Sequence, residues 1–212
     1  MQRLRLTFAK TAAMRYTGHL DTHLAWERTF RRAGLPLAYS QGFHPQPRIQ
    51  LAAALPLGFT SECEVADIWL EAPHPLEQVR AALEAAAPPG LQVLAVAEAT
   101  LEARPLQTLV RSAEFSVQLR SPLPPEAVDA AIAGLLAQAT LPHVRRDKPY
   151  DLRPLIEALA RERSEPGLHH LRMTLAARDS ATGRPEAVVE ALGAEPAEAR
   201  YHRLKLIVAA DA

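Results

Sequence analysis

Cysteine is almost missing: Cys63 stands alone in 212 residues. That excludes an intramolecular disulfide, a thiolate-rich zinc finger and any iron–sulfur cluster held by three or four cysteines. Net charge is also missing, with 24 Lys and Arg against 24 Asp and Glu, which on its face argues against a nucleic-acid binder. No run approaches the ~20 apolar residues of a membrane span, and the N-terminus alternates charged with apolar residues, unlike a signal peptide. A glycine-rich phosphate loop, a Gly-x-Gly-x-x-Gly turn after a strand and a Gly-x-Ser-x-Gly elbow are all wanting. Nucleotide hydrolysis, dinucleotide redox chemistry and serine hydrolysis therefore have no support. These absences point to a soluble, cytoplasmic protein without a cofactor, and its single thiol is expected to be buried and inert.

The zero balance hides a gradient. Residues 1–50 hold eight Lys and Arg against Asp21 and Glu27, residues 51–110 hold two against eight acids, and residues 111–212 carry fourteen of each. A basic face set against an acidic one would orient the molecule on an anionic partner. At 48% hydrophobic residues the chain suits one large domain or two small ones.

Leu4, Leu6 and Phe8 alternate with Arg3, Arg5 and Thr7, which predicts a strand with one wet face. A helix follows to about Ala33, capped by Thr17 or Asp21, with Leu20, Leu24, Trp26 and Phe30 on its apolar side and Gly34 then Pro36 at its stop. Leu35–Tyr39 and Ile49–Leu55 read as extended pieces. Phe59–Glu71 reads as a longer strand with a bulge near Ala66. A helix bearing Leu76, Val79, Leu83 and Ala86, and a strand from Leu91 to Ala97, complete a βαββαβ order. The order recurs after a connector: a strand at Phe115–Leu119, a helix opened by Pro124 and Pro125, a short strand at Leu141–Arg146, an inserted helix capped by Asp151 and bearing Leu155, Ile156 and Leu159, a strand through Leu171–Leu175, a helix from Glu186 to Leu192, and a strand from Tyr201 to Val208. The expected class is α+β, with two tandem ferredoxin-like halves: residues 1–98, a connector over 99–112, and 113–212 with its inserted helix.

Tyr39-Ser-Gln-Gly-Phe-His-Pro-Gln-Pro-Arg48 has the composition of a loop that Pro45 and Pro47 stiffen into a pre-shaped binding surface. With Arg28, Arg31 and Arg32 in the last turn of the preceding helix, and Arg48 after the loop, it predicts one concave cationic pocket. The arginines would meet phosphates, Tyr39 or Phe43 would stack on a base, and Ser40, Gln41, His44 and Gln46 would bond around it. His44 is also a candidate proton acceptor, with His19 or Asp21 as its helper. His19 and His23 share a helix face, but no third ligand is positioned, so no metal site is expected. In the second half Arg145, Arg146, Lys148 and Arg153 surround Tyr150, a basic patch with one stacking platform.

Six segments in order, Tyr16-Thr-Gly-His-Leu-Asp21, Arg28 with Arg31-Arg32-Ala-Gly-Leu-Pro36, Ser40-Gln-Gly-Phe-His-Pro45, Ala54-Leu-Pro-Leu-Gly58, Ser61-x-Cys-Glu64 and Lys148-Pro-Tyr-Asp-Leu-Arg-Pro154, resemble the radical-SAM-linked domain family. Gly18 stands where that family more usually has Ser. The family is a domain of unknown function, found free-standing or fused C-terminal to a radical SAM enzyme. With one cysteine this chain cannot hold the radical cluster itself, so the resemblance implies a separate radical SAM protein as its partner. Paired ferredoxin-like folds also resemble the RNA-processing domains of CRISPR ribonucleases. Three readings stand: an RNA-binding or substrate-presenting accessory of a radical SAM enzyme in tRNA or rRNA modification, a metal-independent endoribonuclease or transferase using His44, and a protein-interaction module without RNA. DNA is not among the expected partners.

Overall fold

The alternation at the N-terminus becomes β1 (Gln2–Lys10), whose Leu4, Leu6 and Phe8 are each 1% exposed. A computed structural model describes residues 1–178 and 181–209, and the chain divides into two compact units, one built on Met1–Val110 and the other on Arg111–Val208. In the first unit β1 is followed by α1 (His19–Arg32), β2 (Ile49–Leu51), β3 (Thr60–Leu70), α2 (Leu76–Ala86) and β4 (Leu91–Ala99). β1 pairs antiparallel with both β3 and β4, and β2 pairs with β3. The order β4-β1-β3-β2 is that of a ferredoxin-like sheet. One face buries Leu4, Leu6, Phe8, Ile49, Leu51, Ile68 and Leu70 against Trp26 and Phe30 of α1 and Val79 and Leu83 of α2. Trp26 meets Phe8 edge-on, ring centroids 4.9 Å apart.

In the second unit β5 (Val110–Arg120), which a short α3 (Leu106–Leu109) precedes, is followed by α4 (Pro125–Leu136), β6 (Pro142–Arg145), β7 (Lys148–Asp151), β8 (Ile156–Glu165), β9 (Leu168–Arg178), β10 (Ala181–Thr182), α5 (Pro185–Ala191) and β11 (Ala199–Val208). β9 pairs with β5 and β8, and β11 lies beside β5. The main strands run β8-β9-β5-β11, a second ferredoxin-like order, while β6 and β7 form a two-stranded sheet of their own. The α+β class with paired ferredoxin-like units is therefore the fold of this chain.

Four expectations are corrected. The inserted helix at Asp151–Leu159 is a 3-10 turn, Arg153–Leu155, running into β8. A bulge at Glu157 shifts the strand by one residue, so Ile156 and Leu159 oppose Leu175 and Met173 on one face although they stand three apart. The bulge in β3 lies at Glu62–Cys63, where Phe8 pairs with Glu64 but Lys10 with Ser61, and not near Ala66. Cys63 is half-buried, its amide donating to Ser61 Oγ. Leu35–Tyr39 makes only isolated bridges, at Leu37 and Tyr39.

The inward face of α1 is Thr22, Trp26, Thr29 and Phe30, whereas Leu20 is 80% and Leu24 39% exposed. Thr22 and Thr29 are tolerated inside because their hydroxyls donate to Gly18 O and Ala25 O at 2.9 and 2.7 Å. Gly18 is the N-cap residue, and Asp21 acts from within the helix, its carboxylate accepting the Gly18 amide at 3.3 Å.

Tyr201 carries a pH prediction for the second unit. Its hydroxyl donates to Pro196 O at 3.0 Å, and burial, then Glu186 and Glu195 nearby, push its pKa above the ordinary tyrosine value. The folded protein keeps this proton to higher pH than the unfolded chain, so stability falls as pH rises beyond about 10. Tyr201→Phe is expected to flatten that alkaline loss while costing about 1 kcal/mol at neutral pH for the lost hydrogen bond. Urea midpoints of both proteins across the alkaline range test it.

Candidate nucleic-acid interface

The C-terminal half of α1 carries its cations outward. Trp26, Thr29 and Phe30 take the core side, which leaves Arg28, Arg31 and Arg32 exposed. Met14 and Ala25, with Pro88 and Pro89 beyond α2, close a recess of about 520 Å³ around the three guanidinium groups. Arg31 is paired with Glu27 at 2.7 Å. An exposed i,i+4 pair contributes only about 0.3–0.5 kcal/mol, so an incoming phosphate can displace it. Arg28 and Arg32 make no hydrogen bond or ion pair among the described residues. The recess thus offers two unengaged cations, one weakly engaged cation and an apolar wall.

Downstream of α1 the loop closes on itself. Tyr39 and Pro47 bridge antiparallel, the Ser40 amide donates to Gln46 O at 2.8 Å, and the Gln46 amide donates to Ser40 Oγ at 3.0 Å. The tip that remains, Gln41 to Pro45, turns at Gly42 with φ +130°, a conformation that favours glycine. Phe43 stands on that tip 102% exposed, with Gln41 and His44 exposed beside it. The ring has a free face for a base. Ser40 closes the loop through its acceptor lone pair, and its O–H stays available to donate. Tyr39 shares a second recess, of about 350 Å³, with Arg31, Leu37 and Glu71.

Arg48 does not join the arginines of α1. Its neighbour Ile49 is in the core with α1, so alternation sends Arg48 to the other face of the sheet. There its guanidinium lies 4.6 Å from the centre of the Trp69 ring, while Arg3 covers the same ring at 4.8 Å. A third recess, of about 400 Å³, opens beside them, lined also by Gln50, Leu101 and Pro105. The single pocket expected from the sequence is resolved into separate recesses, with Arg48 outside the one formed by Arg28, Arg31 and Arg32.

The proposed helpers of His44 are engaged elsewhere. Asp21 holds the start of α1, and His19 lines a cavity of about 10 Å³ with Lys10, Thr22 and Glu64, room for one water molecule at most. His23 Nε2 lies 3.2 Å from Ile49 O. No group of three His, Cys, Asp or Glu able to hold a metal ion occurs among the described residues. In the second unit Arg153 is withdrawn from the basic patch: its guanidinium donates to Leu136 O and Ile156 O at 3.0–3.1 Å. Arg145 and Lys148 are exposed.

Residues 3–185 match a protein family described as "Uncharacterized protein conserved in bacteria (DUF2344)". The chain belongs to this family. No curated protein matches it. Among solved structures it is similar to a chain of the "Crystal Structure of a Cbf5-Nop10-Gar1 Complex", at 10% identity and a TM-score of 0.55, over 96% of this chain and 48% of that one. It is also similar to a chain of the "Crystal structure of the archaeal box H/ACA sRNP Nop10-Cbf5 complex", at 11% identity and a TM-score of 0.46, over 94% and 46%. This chain spans about half the length of either, and at such identity the first likeness is one of fold. No helix among the described residues is long and apolar enough to cross a membrane.

Local pattern missed the walls of the main recess. Pro88 and Pro89 are separated from α1 in sequence by β2, β3 and α2, and the antiparallel pairing of β1 with β4, which sets Lys10 opposite Leu91, brings them beside Met14. The Pro88-Pro89-Gly90 stop was the one available signal, as a rigid turn that holds a surface in place.

Proposed function

We propose that this protein binds RNA through the α1 recess and the Gln41–Pro45 tip, and that it presents the RNA to a separate radical SAM enzyme. The observation that carries the reading is Arg28 and Arg32, two cations with no partner in the described chain, on a recess whose remaining wall is apolar. Such a recess suits one nucleotide, with phosphate on the arginines and the base against Met14, Pro88 and Pro89. Arg31 lines both this recess and the one containing Tyr39, so a strand leaving the first would pass toward the base of the loop whose tip carries Phe43. His44 is exposed on that tip with no hydrogen-bond partner among the described residues, which suits recognition better than proton transfer, where a second oriented group is needed. The radical SAM partner rests on the motif resemblance alone.

The test is RNA binding by fluorescence anisotropy, with a transcribed tRNA and an oligouridine as probes, over a range of salt concentrations. Affinity should fall steeply with salt, and Arg28→Ala with Arg32→Ala should lower the slope of log affinity against log salt by about one for each arginine removed. Binding that is absent, or that is indifferent to both arginines, overturns the reading.

A further inference from the structure

The β6–β7 ribbon carries two local conflicts within four residues. Arg146 and Asp147 form its turn with φ of 48° and 62°, a two-residue turn in which Asn-Gly is the favoured pair and a left-handed Arg is strained. Arg145 and Lys148 are directly opposite partners in the ladder, where like charges repel. Neither conflict is relieved on this chain, because the side chains of Arg145, Arg146 and Lys148 make no hydrogen bond or ion pair among the described residues and all three are exposed. Local rules broken without a compensating contact point to a partner outside the chain.

The base of the ribbon is fixed. Asp151 Oδ1 accepts the amides of Leu141 and Arg153 at 2.7 and 3.0 Å, and Arg153 ties the segment to Leu136 O, the last carbonyl of α4. His143 meets Tyr150 edge-on across the strands at 5.4 Å. Residues 143, 145, 148 and 150 fall on one side of the ribbon by alternation, so a cationic rung stands outward of an imidazole–phenol rung. The tip is an exposed projection with three positive charges against the single Asp147.

We infer that this ribbon is a second RNA contact, separate from the α1 recess, whose three cations grip the phosphates of a double-helical stem. The inference rests on the RNA reading above and names the form of RNA. A single strand offers one row of phosphates. An A-form stem brings two rows together across its narrow groove, and two long cationic side chains rising from facing strands, their Cβ atoms about 5 Å apart, match two rows better than one.

Two variants test it on the full chain, with a transcribed stem-loop and an oligouridine as probes. Arg145→Ala with Lys148→Ala should lower the salt slope for the stem-loop by about two, roughly a tenfold loss of affinity or more, and leave oligouridine binding nearly unchanged. Arg146→Gly, which removes a charge and the strain together, should raise the melting temperature while weakening the stem-loop. A stem-loop affinity unaffected by all three changes, while Arg28→Ala still weakens binding, overturns the ribbon contact and leaves the α1 reading standing. Equal loss on both probes overturns the preference for a stem. If the unaltered protein binds neither probe, the underlying RNA reading fails and the inference falls with it.

Discussion

Asp67→Ala is expected to destabilise the first unit by about 3–5 kcal/mol, the cost of leaving a buried charge without its partner. Asp67 is fully buried and Arg3 is 2% exposed. Arg3 donates to the carboxylate through Nε and Nη2 at 3.2 and 2.6 Å, and Arg5, its direct ladder partner, donates at 2.9 and 3.0 Å. Arg3 continues outward to the carbonyls of Thr100, Ala103 and Arg104, so one carboxylate orients the guanidinium that fastens the stretch after β4. Without it Arg3 keeps its carbonyl partners but loses the only negative charge bonded to it among the described residues. Arg5, 28% exposed, can turn to water. Asp67→Asn, which retains an acceptor oxygen, should recover part of the loss. Arg31→Ala should cost less than about 0.5 kcal/mol, because its pair with Glu27 is exposed. Urea unfolding with an unchanged slope distinguishes these outcomes, and an Asp67→Ala loss no larger than that of Arg31→Ala would show that the buried pair contributes little.

The same residues show what the sequence disclosed. Arg3 and Arg5 read as the wet side of a strand because charged residues alternated with Leu4, Leu6 and Phe8. The alternation was right and the solvent was not, since Asp67 and the stretch from Thr100 to Arg104 cover that side. Periodicity reports which residues share a face, while burial depends on what chain segment later lies over it. The misreading of α1 has a related cause. Leu20 and Leu24 outrank Thr22 and Thr29 on any hydrophobicity scale, but a threonine whose hydroxyl returns to the helix's own backbone can be buried at little cost. Strand order and the loop tip were legible because alternation, Gly42 and the prolines are local signals. Division of the cationic residues among separate recesses was not, because it follows from the one-residue step between Arg48 and Ile49 across a sheet that sequence alone does not show.

Gly90→Ala is the second large effect, expected at about 2–4 kcal/mol from left-handed strain and overpacking together. Gly90 has φ +98°, and a Cβ there would lie 2.7 Å from Met14 Cγ and 2.9 Å from Met14 N. The side-chain contact could yield by rotation, but the backbone contact cannot, because the Thr11 amide donates to Gly90 O at 2.9 Å and holds the two segments together. Gly34→Ala separates the two contributions: Gly34 has φ +69° with nothing within 4 Å of a Cβ, so it should lose only the strain, about 1–2 kcal/mol. The difference between the variants measures the crowding against Met14 and Ala13 together with the added strain of φ +98° over +69°. Met14 is also a wall of the recess that holds Arg28 and Arg32. At a temperature where Gly90→Ala remains folded, it should therefore weaken RNA binding without changing the salt slope, since it moves the apolar wall and removes no charge. Gly34→Ala should leave that affinity near its starting value. If Gly90→Ala lowers stability but binding is unaltered, Met14 supports the fold without touching the ligand, and the base would have to sit elsewhere on the arginine surface.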